Sequence, residues 1–275
     1  MKKFLLPAIC ILTLILVGCE LNNPSIAPSS DGIGIFSVSA TKKVTFSSGN
    51  LQYHPRNNKW RFAVSQLDCI GEDNSRISST YNGWIDMFGW STSKTNYGVS
   101  SSTNYTNYSG YFVDWGGNKI GNDAPNTWRT LTYDEWYYLL VSRPNAPFLC
   151  GIAQVNGVNG LVFLSDNCMF PQGVIFKPGF HSSEEDEVTY QTFTTEQWAK
   201  LEAAGAVFLP AAGYRHGTSV KNVQRYGYYW FSPDYWFDAL YNNSSAYYFY
   251  FFSGGADLEY NYRSYGQSVR LVKDL

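Results

Sequence analysis

Apolar residues alternate with polar ones from Lys43 to Phe46, from Leu51 to Tyr53 and from Trp60 to Val64, and the intervening SSGN and HPRNN are turn formers. A period of two with such punctuation predicts strand, turn, strand, turn, strand. In LTYDEWYYLLVSR the spacing changes: Thr132 is followed by Glu135, and Trp136, Leu139 and Leu140 then fall on one face. That pattern predicts a helix opened by a capping box. FTTEQWAKLEAAGAVFLP repeats the device with Thr194 and Gln197, makes Trp198 and Leu201 apolar and places Gly205 at the helix end. Beyond it VFLP reads as a short buried strand, and Tyr247–Phe252 and Ser268–Val272 as further strands. Tyr247–Phe252 carries rings at every position, which predicts a strand buried on both faces rather than an exposed platform.

Between residues 75 and 126 the period is lost. Gly, Ser, Thr and Asn surround Trp84, Trp90, Tyr97, Tyr105, Tyr108, Tyr111 and Trp115. A long polar loop with such rings is expected to be pinned to the domain by them, although the same rings could face a ligand.

The N-terminus has the order of an export signal: Lys2 and Lys3, an apolar run from Phe4 to Val17, then Gly18 and Cys19. Leu16-Val17-Gly18-Cys19 resembles the lipobox of bacterial lipoproteins, which implies cleavage before Cys19 and acylation there. Residues 1–18 are then a signal peptide. Residues 19–34, rich in Ser, Pro, Asn and Gly, form a lipidated tether, and 35–275 form the folded domain. Acyl chains contribute about 0.8 kcal/mol per buried methylene, so the expected location is a membrane surface of the cell envelope. The outer membrane is favoured, although Glu20 does not decide it.

Of the 20 Lys and Arg residues, cleavage would remove Lys2 and Lys3, leaving 18 against 22 acidic residues and a formal charge of −4. No basic cluster offsets it, so nucleic acid is not an expected partner. Aromatics, at 18%, outnumber charged residues, at 15%, which is enough apolar surface for one large core. After Cys19 only Cys69, Cys150 and Cys168 remain; the last two could close a loop, but buried free thiols are the favoured reading.

The pieces WRTLTYDEWYYLLVSR, AVFLPAAGYRHG, YGYYWFSP, AYYFYF and GQSVRLV, in that order, resemble secreted bacterial lipoprotein domains of the FISUMP group. The first piece also resembles a stretch of the formylglycine-generating (sulfatase-modifying factor) enzymes, and the last the ending of both. The resemblance covers roughly Trp128 to Val272 and implies an α+β, C-type-lectin-like fold: two helices, mixed antiparallel sheets and long irregular loops. It also implies that Tyr228, Tyr229 and Trp230 enter the central sheet. Thr130-Leu131-Thr132 stands where the enzymes have Leu-Pro-Thr, and Gln267 where an aromatic commonly precedes Ser-Val-Arg.

Active formylglycine-generating enzymes hold copper with a cysteine pair in the C-terminal part of the domain, and copper(I) needs soft thiolates. No cysteine follows Cys168 here, so the resemblance carries the fold without that chemistry. Nor is the calcium set of sugar-binding C-type lectins complete: the nearest strings are Asp123-Ala124-Pro125-Asn126 and Ser232-Pro233-Asp234. His54, His181 and His216 are scattered, Glu184–Glu187 reads as a solvated acidic run, and no GxSxG, P-loop or complete dinucleotide fingerprint occurs. Asp234, Asp238 and Asp257 could pair for glycoside hydrolysis, a reading no spacing tests. The expectation is therefore no cofactor, no metal and no catalytic residue. The protein would be a binding module for a glycan or a protein, with a formylglycine-generating-like oxidase, another hydrolase or a structural subunit of a surface assembly as alternatives.

The candidate ligand surface is the segment after Ser232, where Tyr235, Trp236, Tyr241 and Asn242 interleave rings and polar groups, with Arg215 and Arg263 expected nearby. Those rings either bind or fold back as a lid.

Overall fold

The computed structural model describes residues 32–166, 168–180, 182–183, 187–188, 190–233 and 244–275. The N-terminal half contributes β1 (Ile33–Ser37), β2 (Lys43–Phe46), β3 (Leu51–His54), β4 (Lys59–Phe62), β5 (Arg129–Thr130), α1 (Tyr133–Tyr137), β6 (Cys150–Val155) and β7 (Val158–Phe163). Then come the short β8 (Ser182–Ser183) and β9 (Glu187–Val188), β10 (Gln191–Phe193), α2 (Thr195–Ala203) and β11 (Val207–Pro210). The remainder holds β12 (Tyr214–His216), β13 (Ser219–Lys221), β14 (Gly227–Trp230), β15 (Ser245–Phe252), β16 (Gly255–Tyr262), β17 (Tyr265–Gly266) and β18 (Leu271–Asp274). The class is α+β, with mostly antiparallel sheets and few helices; β10 alongside β6 is a parallel pair.

Both helix starts form as their sequences predict. Thr132 Oγ1 accepts from the Glu135 amide while Glu135 accepts from the Thr132 amide, and Thr194 and Gln197 reproduce this reciprocal pair. After α1 the chain passes into a π-helical turn over Tyr138–Ser142. α2 is followed by Gly205 in the left-handed region, φ 87°. β1 begins at Ile33, within the stretch read as tether.

The last strand lies between β2 and β5, so the two ends of the described chain close one sheet, β1-β2-β18-β5. A charged network crosses this closure: Arg129 meets Glu135 at 2.6 Å and Asp274 at 2.6 Å, and Lys42 meets Glu135 at 3.0 Å. The strand expected at Ser268–Val272 is displaced toward the C-terminus. Gln267 and Ser268 instead act as a strap, exchanging amide hydrogen bonds with Phe88 and bridging Tyr228 and Trp230.

β14-β15-β16 is an antiparallel meander with β15 in the middle. One face of β15, carrying Tyr247, Phe249 and Phe251, packs on a core with Trp136, Phe163 and Phe46. The other, with Ala246, Tyr248 and Tyr250, meets a second core built on Trp90, Trp115, Trp230 and Trp60. A third cluster places Trp198 and Leu201 of α2 on Phe208 and Val162. The long segment from 75 to 126 is pinned as its rings predict: Trp90, Tyr108 and Trp115 are buried, whereas Tyr111 is exposed. Trp115 donates to Tyr97 O at 2.8 Å, and the Tyr108 hydroxyl donates to Ser102 O at 2.9 Å.

Within this segment is a buried carboxylate. Asp86 accepts from the Ile70 amide and from Asn74 Nδ2, each at 2.8 Å, and burial pushes its pKa up to about 6. The folded state therefore holds this proton more tightly than the unfolded chain does. The cost of the charged form is present above about pH 6 and relieved as pH falls through it. Asp274, held below the usual carboxylate range by its hydrogen bond to Arg129, acts in the opposite sense, and only at lower pH. We expect the urea midpoint to rise between pH 7.5 and 5, and Asp86→Asn to flatten that slope. An unchanged slope in the variant would show that Asp86 is not its source.

Candidate functional site

Alternation along β14 and β15 sends Tyr229, Phe249 and Phe251 into the core and leaves Tyr228 and Tyr250 on the other face. The register pairs Tyr228 with Tyr250 and Trp230 with Tyr248, so the rings line up across the strands. Tyr228 and Tyr250 stack at 6.3 Å, and Tyr250 and Phe252 lie nearly parallel, 7° apart, at 6.2 Å. Tyr226 covers the same end, stacked on Phe252 at 5.3 Å.

A bridge between Gly213 and Gly227 sets β12 beside β14 and extends the row. Tyr214 meets Tyr228 edge-on at 5.3 Å and Tyr265 at 5.3 Å. His216 stacks on Tyr265 at 4.7 Å. Tyr262 continues from Tyr265 at 6.4 Å, and Tyr105, from the long loop, stacks on Tyr262 at 5.9 Å. The result is a contiguous aromatic ribbon, half-buried over most of its length and exposed at Tyr262 and Tyr105.

Polar groups border the ribbon. Asp257 stands opposite Tyr250 and Glu259 opposite Tyr248 on β16, both exposed. Asn222 Nδ2 donates to the Tyr228 hydroxyl at 3.3 Å. Burial pushes Tyr228 up to about 12, and burial with the neighbouring Asp257 and Glu259 raises Tyr250. The phenols stay neutral at physiological pH and keep their O–H donors. Ring faces flanked by hydroxyls and carboxylates can stack on the C–H side of a sugar while bonding its hydroxyls.

The residues singled out from sequence fare differently. Cys19, Tyr235, Trp236, Tyr241 and Asn242 lie outside the described residues, as do His181, Asp234 and Asp238. Arg215 and Arg263 were expected beside a ligand surface, but both are buried and directed at the backbone. Arg215 donates to Gly217 O at 2.5 Å, Ser100 O at 3.0 Å and Met87 O at 3.4 Å. Arg263 donates to Ser245 O and Gly110 O, each at 3.0 Å, beside the Trp90 ring. Loop carbonyls converge on these guanidiniums because the segment from 75 to 126 has little regular structure of its own to satisfy them.

His54 is buried, accepts from the Asn57 amide at 3.3 Å and packs edge-on to Trp84. Cys69, Cys150 and Cys168 are free thiols. Burial raises the pKa of all three, Cys69 to about 11 with Asp86 and Asp68 adding to it, so each is a protonated thiol at neutral pH. Among the described residues no group of three or more His, Cys, Asp or Glu side chains is placed to hold a metal ion.

The ribbon was missed in the sequence because its rings come from five separate segments. The available signal was the alternation within YGYYW and AYYFYF, which assigns every second ring to the outer face.

A family model, Domain of unknown function (DUF8237), matches residues 180–272, a span that includes α2 and all of β14, β15 and β16. No curated protein and no solved structure matches the chain.

Proposed function

We propose that this chain is a lipid-anchored cell-envelope protein whose C-type-lectin-like domain, related to the FISUMP group, binds a glycan without catalysing a reaction. The observation that carries this is the aromatic ribbon from Phe252 to Tyr105 with Asp257 and Glu259 at its edge. Stacking on such faces needs no calcium, and carboxylates accept from sugar hydroxyls. The lectin-like reading is supported by the two capped helices, the mixed sheets, the long pinned loop and the pairing of the first strands with the last. No cysteine follows Cys168, in the part of the domain where the enzymes' copper-holding pair would stand, which favours recognition over copper-dependent oxidation. Anchoring rests on the Leu16–Cys19 pattern.

Two experiments test the reading. On a glycan array, a positive signal should weaken about tenfold for Tyr262→Ala and for Tyr105→Ala, exposed rings whose removal costs roughly a stacking contact each. Binding that is indifferent to both variants, or absent from every glycan, would refute the sugar reading. Separately, Cys19→Ser should abolish acyl labelling and move the protein out of the membrane fraction; retention there would refute the lipid anchor.

A further inference from the structure

On the opposite side of the meander from the tyrosine ribbon is a cleft of about 490 Å³, a volume in the range of small-molecule sites. Its aromatic walls come from three places: Tyr133 at the start of α1, Tyr247 on β15 with Phe231 beneath it, and Tyr260 on β16. The rings take two nearly orthogonal orientations. Phe231 and Tyr247 are parallel within 18° at 5.8 Å. Tyr133 stands at 65° to Phe231 and 69° to Tyr247, and Tyr260 at 73° to Tyr247.

Among the described residues, the charged ones lining the cleft are Asp134 and Glu259, and none of the others is Lys, Arg, His, Asn or Gln. Glu259 is in register with Tyr248 and belongs to the tyrosine face, so Asp134, exposed in the first turn of α1, supplies the carboxylate on this side. A flat sugar is held by one ring parallel to it and by amide or guanidinium donors. A compact cation is held by π-faces approaching from several directions, with a carboxylate for the residual charge. The cleft has the second set of features.

We propose that this cleft binds an organic ammonium group, quaternary or alkylated, between Tyr133, Tyr247 and Tyr260 with Asp134 as counter-ion. The site is separate from the glycan face, and its occupant is identified by charge and shape: a cationic head too weakly hydrated to prefer bulk water over aromatic faces.

The test is calorimetric titration of the whole chain with choline and with its neutral isostere 3,3-dimethylbutanol. Choline should bind at least tenfold more tightly. Tyr260→Ala, at an exposed position, and Asp134→Asn should each weaken it fivefold or more, whereas Tyr262→Ala, whose ring stacks on Tyr105 and Tyr265 and does not line the cleft, should leave it unchanged. Glycerophosphocholine in parallel distinguishes a lipid headgroup from a free amine, and the proposal stands if either binds with this dependence. Equal affinity for the neutral isostere, indifference to both cleft variants, or no heat with any of the three probes would overturn it. Because Tyr262→Ala reports on the glycan face alone, failure of this proposal and failure of the glycan reading give different results.

Discussion

Arg215→Met should destabilise the domain by about 3 kcal/mol or more, because the buried carbonyls of Gly217 and Met87 lose their guanidinium donor and the half-buried carbonyl of Ser100 keeps only a shared hydroxyl from Tyr108. The guanidinium ties Ser100 and Met87 of the long loop to Gly217, the residue after β12, and no buried carboxylate is among these partners. Burial lowers its pKa to about 10, which still leaves it charged at neutral pH. A methionine relieves the cost of burying that charge but offers no donor to the carbonyls of Gly217 and Met87. Lysine, with a single ammonium on a flexible stem, recovers only part of the loss because it cannot fork between separate acceptors. For a domain of this size the methionine variant should melt roughly 6–12 °C lower. A shift of under 2 °C would show that these carbonyls find other donors and that Arg215 does not anchor the loop. The effect should reach the aromatic ribbon, since Tyr214 and His216, which flank Arg215, carry two of its rings.

Gly98→Ala should be comparably severe for a different reason. Gly98 has φ 78°, and a Cβ there would lie 1.8 Å from Gly89 O and 2.6 Å from Gly89 C. Both are backbone atoms, so no rotamer change relieves the contact. The loop must move, and the 2.9 Å bond from the Gly89 amide to Gly98 O goes with it. Gly121 separates the two components of the cost. It also has positive φ, 57°, but nothing lies within 4 Å of its would-be Cβ. Gly121→Ala should therefore cost about 1 kcal/mol from conformation alone, and Gly98→Ala several times that. Equal losses in denaturant titrations would mean that the collision is absorbed by the loop.

How much was legible follows from the range of each interaction. Thr132 with Glu135 and Thr194 with Gln197 are contacts within one turn, and both helix starts were readable from residue type and spacing. Lys43–Phe46 was readable because its apolar residues, Val44 and Phe46, recur every two positions, although Thr45 between them is buried too. Ser268–Val272 was misplaced at its start because Gln267 and Ser268 are held by Phe88, Tyr228 and Trp230, all remote in sequence. Arg215 and Arg263 were assigned to a surface on their charge, and nothing local announces the carbonyls that bury them.

The sequence by itself determined the capped helices and the alternating strands, since each depends on neighbours a few residues apart, and it marked the aromatic loop by its rings without showing what pins it. Tertiary structure alone decided which side of Tyr247–Phe252 meets which core, that Tyr228, Tyr250, Tyr214, Tyr265, Tyr262 and Tyr105 form one surface, and that two arginines became internal anchors. The reason is strand register and loop closure. Both bring together residues far apart in the chain, and which of their faces meet is set by the packing of the whole domain rather than by any local preference.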